Sequence, residues 1–435
     1  MNIAIIGFDR QGRSAYDYWN NPDNKITICD RDTSIVVPQD AGSNLGDGYL
    51  SNLDSYDLIV RTPGLHPSLL INAGGEDILN KTTTVTNEFM RVCPTKNVIG
   101  ITGTKGKGTT STLVTKLLEA NGHKVHLGGN IGTPPLDLLK DNVDPDDWVV
   151  LELANFQLID LKYSPHIGVC LMVEPEHLDW HKDKYEYFKA KAQLFAHQNN
   201  QDIAIYFAPN ETSKDIASSG GGKLIPFFSS PGARIENESL VIDNQSVMHV
   251  SEFALPGEHN WQNICAALTS AWQVDKNIEA YRKVLTTFSG LPFRIELRGE
   301  KNGIRFYNDS FSSQPAATIA AINTVAGNKV VIVGGKDRGL DLEDLAKTIS
   351  SKSAEIRKVL IIGASAERVA DSLKQAGFTN YIVSADKDIA QIVKQAVSLA
   401  KEGDSIVLSP GFPSFDMFKN FEVRGELFNK AVEAL

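Results

Sequence analysis

The run Gly100-Ile101-Thr102-Gly103-Thr104-Lys105-Gly106-Lys107 fits the G-x-x-x-x-G-K frame of a phosphate-binding loop. Glycines there let backbone N–H groups face a polyphosphate, the N-terminus of a following helix adds positive potential, and Lys107 supplies a point charge. The next position ordinarily holds Ser or Thr, whose hydroxyl binds Mg²⁺. Here it is Gly108, and Thr109 follows, so the hydroxyl is displaced by one place. A glycine-rich turn that merely joins strand to helix is the plain alternative. Apolar strand, loop, lysine and helix nevertheless occur in the order ATP binding requires, and Gly103, Thr104, Lys105, Gly106, Lys107, Gly108 and Thr109 are the predicted contacts.

Other chemistry-bearing groups fall at strand ends. Glu152 interrupts the apolar run 149–153, either as a Mg²⁺ ligand or as a strand-end carboxylate reaching solvent. Glu174-Pro175-Glu176-His177-Leu178-Asp179-Trp180-His181 follows another apolar strand. Its histidines are four apart, but no Glu follows His177 and no cysteine is near, so zinc-protease and structural-zinc patterns are absent. One imidazole with carboxylates beside a hard, partly hydrated cation fits better, and His181 by itself reads as a surface residue. Lys189 and Lys191 lie on a helical stretch, where lysines are ordinarily solvated. Asn260 and Asn263 place two amides on one helix face, suited to a purine edge or to a cap. The loops 334–339 and 409–414 follow strands, where open α/β sheets bind ligands, and the fork of Arg338 suits a carboxylate.

Positioning these groups takes several sheets. At 435 residues the chain exceeds one ordinary core, and its 42% hydrophobic and 22% charged residues are those of a globular protein. Residues 1–92 alternate as a Rossmann-like domain, with strands at 2–6, 25–29 and 57–60. Asp9 spoils a dinucleotide fingerprint, and Asp30 at a strand end is suited to a ribose, a base or a turn cap. Residues 93–290 form a central domain around the phosphate loop, with buried strands at 148–153 and 167–173 and with loops and a small edge sheet in 209–250. Residues 291–435 read as a third, doubly wound α/β domain, with strands at 329–335, 358–363, 381–383 and 405–408. A net charge of −10 argues against a nucleic-acid backbone as partner. Four dispersed cysteines, Cys29, Cys93, Cys170 and Cys265, read as reduced core thiols. With no membrane-length apolar run and no leader before the first strand, a cytoplasmic location is expected.

Taken together, Gly103–Lys107, Gly128-Gly129-Asn130-Ile131-Gly132, Leu151-Glu152-Leu153-Ala154-Asn155-Phe156-Gln157-Leu158, Glu176-His177-Leu178-Asp179 and Gly257-Glu258-His259-Asn260-Trp261-Gln262-Asn263 resemble the Mur ligases. So do Leu291-Pro292-Phe293-Arg294, Asn308-Asp309-Ser310 and Ser414-Phe415-Asp416 with Asn420-Phe421-Glu422, so the likeness spans nearly the whole chain. These are ATP-dependent, amide-bond-forming enzymes of peptidoglycan precursor synthesis, which serves cell shape and division. The resemblance implies a monomeric ligase that adds glutamate, in its D form, to UDP-N-acetylmuramoyl-L-alanine through an acyl phosphate.

It implies roles residue by residue. Lys107 and Thr109 would hold phosphates and Mg²⁺, Glu152 and His177 would ligate metal, and Lys191, as a carbamate, would serve a second Mg²⁺. Asn260 and Asn263 would lie near adenine, and Arg294 and Asp309 would contact ATP. Asn130 and Gln157 would face the muramoyl group. Arg10, Gln11, Asp30 and Arg61-Thr62-Pro63-Gly64 would surround the uridine diphosphate, and Arg338, Ser414 and Phe421 would frame the amino acid. The third domain is expected to close over the second once ATP is bound.

Four departures from the family pattern stand out. Gly108 is shared with folylpolyglutamate synthetases, Phe311 and Phe293 stand where this ligase type usually has lysine and histidine, and Phe412-Pro413 replaces Cys-Ala. A sister enzyme adding L-glutamate, a folate-type ligase and a non-catalytic UDP-sugar sensor are the rival readings.

Overall fold

The computed structural model describes every residue except Ile131 and Pro256, and the side chain of His259, so those members of the sequence motifs lie outside the described residues. The chain forms two compact units, Met1–Phe288 and Ser289–Leu435.

Within the first unit, five parallel strands run in the order Gly42–Leu45, Lys25–Asp30, Asn2–Ile6, Leu58–Arg61, Thr82–Thr83. A second, six-stranded parallel sheet runs Lys223–Phe227, Ile203–Phe207, Ile167–Cys170, Val98–Thr102, Trp148–Glu152, Val125–Gly129. Val98–Thr102 is wholly buried, as its unbroken apolarity requires. Ile99 and Ile101 pack beneath Leu113, Leu117 and Ile264 of the helices Lys107–Glu119 and His259–Trp272. On the opposite face Val98, Val149 and Leu151 share a core with Tyr187, Leu194 and Phe195 of the helix Lys184–Ala196, and that core runs on to Ile3, Ile5 and Phe89. One apolar interior therefore fixes both sheets of this unit.

The strand expected at 167–173 ends at Cys170, because the chain beyond it bonds to the glycine loop: Leu171 N donates to Thr102 O and Thr104 N to Met172 O. In 209–250 a helix, Glu211–Ala217, precedes Lys223–Phe227, which extends the main sheet, and the edge sheet is three antiparallel strands, Arg234–Glu236, Ser239–Ile242 and Gln245–His249. Cys29, Cys170 and Cys265 are buried free thiols, while Cys93 is partly exposed.

The second unit is one sheet in the order Glu296–Lys301, Ile304–Asn308, Ser405–Leu408, Lys329–Gly334, Ile356–Ile362, Tyr381–Val383, parallel except at the first pair. Alternate strand residues face opposite layers. Val331, Val333 and Ile361 meet Leu345, Ile349 and Val369, whereas Val330, Ile332 and Ile406 meet Ile392, Val393 and Phe428. Among the described residues no helix is long and apolar enough to cross a membrane.

Candidate active site

The glycine loop leaves Thr102 and closes on Lys107, the first residue of its helix, with Gly103 at φ 149° and Gly106 at φ 87°. Both glycines are needed. A Cβ on Gly103 would lie 2.6 Å from the Leu171 side chain, and one on Gly106 would lie 2.2 Å from Asn263 Oδ1. Lys107 curls back over the loop, its Nζ donating to Gly103 O at 3.1 Å and Thr104 O at 3.0 Å. Lys191 reaches the same Gly103 carbonyl from below at 2.9 Å and lies over the Tyr187 ring, 4.5 Å from its centre. It is only 1% exposed. Burial, reinforced by the neighbouring Lys107 charge, pushes its ammonium down to about 7. The solvated lysine that helical spacing alone suggests is thus absent here: Lys191 sits in the floor of the loop.

Thr104 is turned inward. Its hydroxyl bonds to the Glu174 carbonyl at 2.9 Å and lies 3.0 Å from Tyr187 Oη, so it anchors the loop. Lys105 is exposed and Gly108 buried. In the first turns of the helix, Thr110 bonds to Asn263 and Ser111 to Lys107 O, which leaves the Thr109 hydroxyl uncommitted among the described residues. The amide of Asn263 donates to Asn260 Oδ1 at 2.9 Å, so the pair forms one unit against the loop.

Glu152 is buried at its strand end, and Asn130 Nδ2 donates to its Oε1 at 3.0 Å; the solvent-reaching alternative does not hold. His177 has φ 56° and is half exposed, 4.8 Å from the Phe156 ring and 3.6 Å from Glu176. Gln157 is buried, its Oε1 accepting from Ala154 N while its Nε2 has no partner among the described residues.

His181 is a correction to the sequence reading. It is buried, because the segment after Glu174 folds back onto Phe156, Trp180 and Tyr187. Its Nε2 meets Asn155 Nδ2 at 2.8 Å and its Nδ1 meets Glu186 Oε2 at 3.1 Å, and burial lowers its basicity.

In the same unit lies a cavity of about 510 Å³, lined by Arg10, Gln11, Asp30, Thr62, Gly64 and Asn130 among others. It opens where the strands Asn2–Ile6 and Leu58–Arg61 diverge into loops, the ligand position of an open parallel sheet. Asp30 accepts from Phe8 N at 2.7 Å and Asp32 N at 2.9 Å, so it shapes the loop as well as facing the cavity. Gln11 Oε1 is buried without a partner among the described residues. Arg61 does not line the cavity. Its wholly buried guanidinium grips Asp160 through two bonds, at 2.8 and 2.6 Å, and donates to Thr62, Leu65 and Phe156 carbonyls, because a buried charge requires such pairing. Nothing local in the sequence signals a partner 99 residues away.

In the second unit, Asp309 sits just past the strand Ile304–Asn308. It accepts from Ser409 Oγ at 2.6 Å, Ile295 N at 3.1 Å and the Ser312 hydroxyl. Burial pushes its carboxyl up to about 6 against those bonds. Asn308 and Ser310 serve structure, bonding to Gly425, Asn429 and Phe421 of the helix Phe421–Glu433. Sequence reasoning missed Arg424, which is buried and donates to Ser310 Oγ, Ser310 O and Phe412 O. Ser414 is buried, Arg338 exposed, and Phe421 packs edge-on against Phe311 at 5.1 Å, with the Arg294 guanidinium 4.5 Å over the Phe311 ring.

Residues 101–271 match the Mur ligase middle domain and residues 293–412 the Mur ligase glutamate ligase domain. The chain is 35% identical over 455 residues to the UDP-N-acetylmuramoylalanine–D-glutamate ligase of Acetivibrio thermocellus, covering 100% of this chain and 96% of that one. Among solved structures it is similar to the UDP-N-acetylmuramate–alanine ligase MurC from Thermotoga maritima, with a TM-score of 0.60, 14% identity and coverage of 100% and 99%. It is also similar to the MurF ligase from Thermotoga maritima in complex with ADP, with a TM-score of 0.56, 17% identity and coverage of 94% and 89%. Likeness at those identities carries the fold, and the closer relative carries the family. The chain belongs to the Mur ligase family of ATP-dependent acid–amino-acid ligases.

Proposed function

We propose that this enzyme joins glutamate, in its D form, to UDP-N-acetylmuramoyl-L-alanine in peptidoglycan precursor synthesis, in the cytoplasm, with ATP cleaved to ADP and phosphate. The observation that carries the reading is the convergence of Lys107 and Lys191 on Gly103 O within a loop that needs glycine at positions 103 and 106. ADP in the related MurF ligase supports nucleotide binding there, as does the name of the Acetivibrio relative for the substrates.

The muramoyl-alanine carboxylate attacks the γ-phosphorus of ATP, giving an acyl phosphate and ADP. The amine of glutamate then attacks the acyl carbon, and phosphate leaves as the amide forms. Lys107 and the loop N–H groups hold the phosphates in line and offset the charge of two anions brought together. The uncommitted hydroxyl of Thr109 and the buried carboxylate of Glu152 fit a hard cation, with His177 as a further holder and Lys191, as a carbamate, serving a second. Mg²⁺, when bound, would neutralise charge on the transferring phosphoryl group. A lysine held near neutrality by burial is the form that adds carbon dioxide, forming an N–C bond and releasing a proton; Lys191 is therefore carbamylated in this proposal. Gln11, Arg10 and Asp30 take the uridine diphosphate, Asn130 and Gln157 the muramoyl group, Asn260, Asn263, Arg294 and Asp309 the nucleotide. Arg338, Ser414 and Phe421 take glutamate.

The test is phosphate release with ATP and UDP-N-acetylmuramoyl-L-alanine against a panel of amino acids in both enantiomers. Coupled release with D-glutamate is the expected result. Preference for L-glutamate would replace the stereochemical assignment, and release with none would overturn the reading.

A further inference from the structure

Outside the proposed catalytic groups, two imidazoles and a carboxylate converge where the first sheet of the unit meets the helix Lys184–Ala196. His66 Nε2 lies 3.2 Å and His181 Nδ1 3.1 Å from the same oxygen, Glu186 Oε2. All three ligand atoms fall within 4.8 Å of one another. Four-coordinate zinc, with bonds near 2.0–2.1 Å, separates its ligands by about 3.3 Å, so two of the three edges already have the required length.

The remaining ring nitrogens are anchored by neighbours that now face them as donors, His66 Nδ1 accepting from Ser68 N at 3.2 Å. His66 Nδ1 lies 2.7 Å from Ser68 Oγ, and His181 Nε2 lies 2.8 Å from the amide of Asn155. The side chain of His181 is fully buried while those of His66 and Glu186 are 18% and 28% exposed, so the cluster has a rigid floor and an open side.

We infer that His66, His181 and Glu186 form a binding site for a divalent transition ion of the zinc, cobalt or nickel type, separate from the Mg²⁺ held for catalysis. Two imidazoles and one carboxylate select such ions over Mg²⁺, which prefers oxygen ligands and retains water. The ion replaces the two ring protons now facing Glu186. Each ring then carries its proton on the other nitrogen: on His66 toward Ser68 Oγ, with the bond from Ser68 N to Nδ1 given up, and on His181, after a half-turn of the amide, toward Asn155 Oδ1. The bond clips the loop that carries Thr62 and Gly64 at the cavity to the helix that carries Lys191, so an occupied site stiffens both.

The experiment is a titration of the full chain with Co²⁺ and Zn²⁺ in excess Mg²⁺. It follows the cobalt absorption bands, competition with a chromophoric chelator, and the fluorescence of Trp180, whose ring is 4.5 Å from that of His66. One equivalent should bind, with tetrahedral cobalt bands and quenching. Affinity should fall at least about tenfold in both His66→Asn and Glu186→Gln, because even an outer-shell change costs that much, and should be unchanged in Glu152→Gln. Both variants alter partly exposed groups, and circular dichroism checks that they fold. Binding that survives both substitutions, that vanishes in Glu152→Gln, or that fails to appear in the parent chain overturns the proposal.

Discussion

The glycine loop of the first unit and the Asn308-Asp309-Ser310 turn of the second both stand just past a strand of a largely parallel sheet, yet they manage charge in opposite ways. In the first, two cations crowd one backbone carbonyl, and burial with mutual repulsion drives Lys191 down to about 7. In the second, one acid is enclosed by hydroxyls and a backbone N–H, and burial drives Asp309 up to about 6. Two lysine amines on one carbonyl concentrate positive charge at the loop. The caged carboxylate of Asp309 already holds its neighbours, so most of its bonding fixes the chain around it, whatever it adds toward the nucleotide. The first turn should therefore lose far more chemistry than structure when altered, and the second the reverse.

The largest expected effect tests the first half of that contrast. Lys107→Ala should lower the rate of phosphate release by about 10³-fold, the scale of a lost charge clamp on a phosphoryl group. Asp309→Asn should cost only about tenfold, worth one charge-assisted hydrogen bond. Equal losses in the two variants would erase the distinction. On the structural side, Arg424→Met should destabilise the second unit by about 3 kcal/mol in urea unfolding, because three acceptors, two of them carbonyls, lose a buried donor. A change below about 0.5 kcal/mol would mean that the turn holds itself.

The same contrast explains what could be read from the sequence. The Gly/Lys loop, the strands around it and the doubly wound second unit are written in local pattern, because glycine spacing and apolar runs act over a few residues. The loop 409–414 was also legible because it follows a strand, and Asp309 by its place in the Asn308-Asp309-Ser310 motif of the family. The turn around Asp309 was not, for its determinants are far apart: Ser409 is 100 residues and Arg424 is 114 residues from the groups they bond. His181 was misread for the same reason. Its burial depends on Asn155 and on the aromatic rings the returning segment lands against, none of which its own spacing reveals.

Proton linkage gives a smaller but sharper comparison. Asp309 has its folded value above the unfolded one, so the native state binds the extra proton between about pH 4 and 6, and its contribution to stability is lost as pH rises through that window. Lys191 has its folded value below the unfolded one, so the unfolded state binds the extra proton from about pH 7 to 10, and its contribution is lost as pH falls through about 7. Relative to Asp309→Asn, the parent chain should weaken on going from pH 4 to 6. Relative to Lys191→Met, it should strengthen on going from pH 7 to 10. Chemical unfolding across both windows checks the two signs, and slopes of one sign for both residues would contradict the opposed environments described here.

The smallest effect isolates the backbone of the loop from its charges. At Gly106 the φ of 87° lies in the left-handed region, which costs an L-residue about 1–2 kcal/mol. A methyl there would also stand 2.2 Å from Asn263 Oδ1 and push that amide off the loop. Asn263 can yield only by breaking its bonds to Thr110 and Asn260, so the disturbance passes to the pair proposed for the adenine. Gly106→Ala should therefore lower stability by about 1–2 kcal/mol and raise the KM for ATP, while Lys191 keeps its depressed basicity, since its bond to Gly103 O lies on the far side of the loop. Loss of stability with an unchanged KM would show that the Asn260–Asn263 pair does not read the nucleotide, and would confine the role of Gly106 to closing the turn.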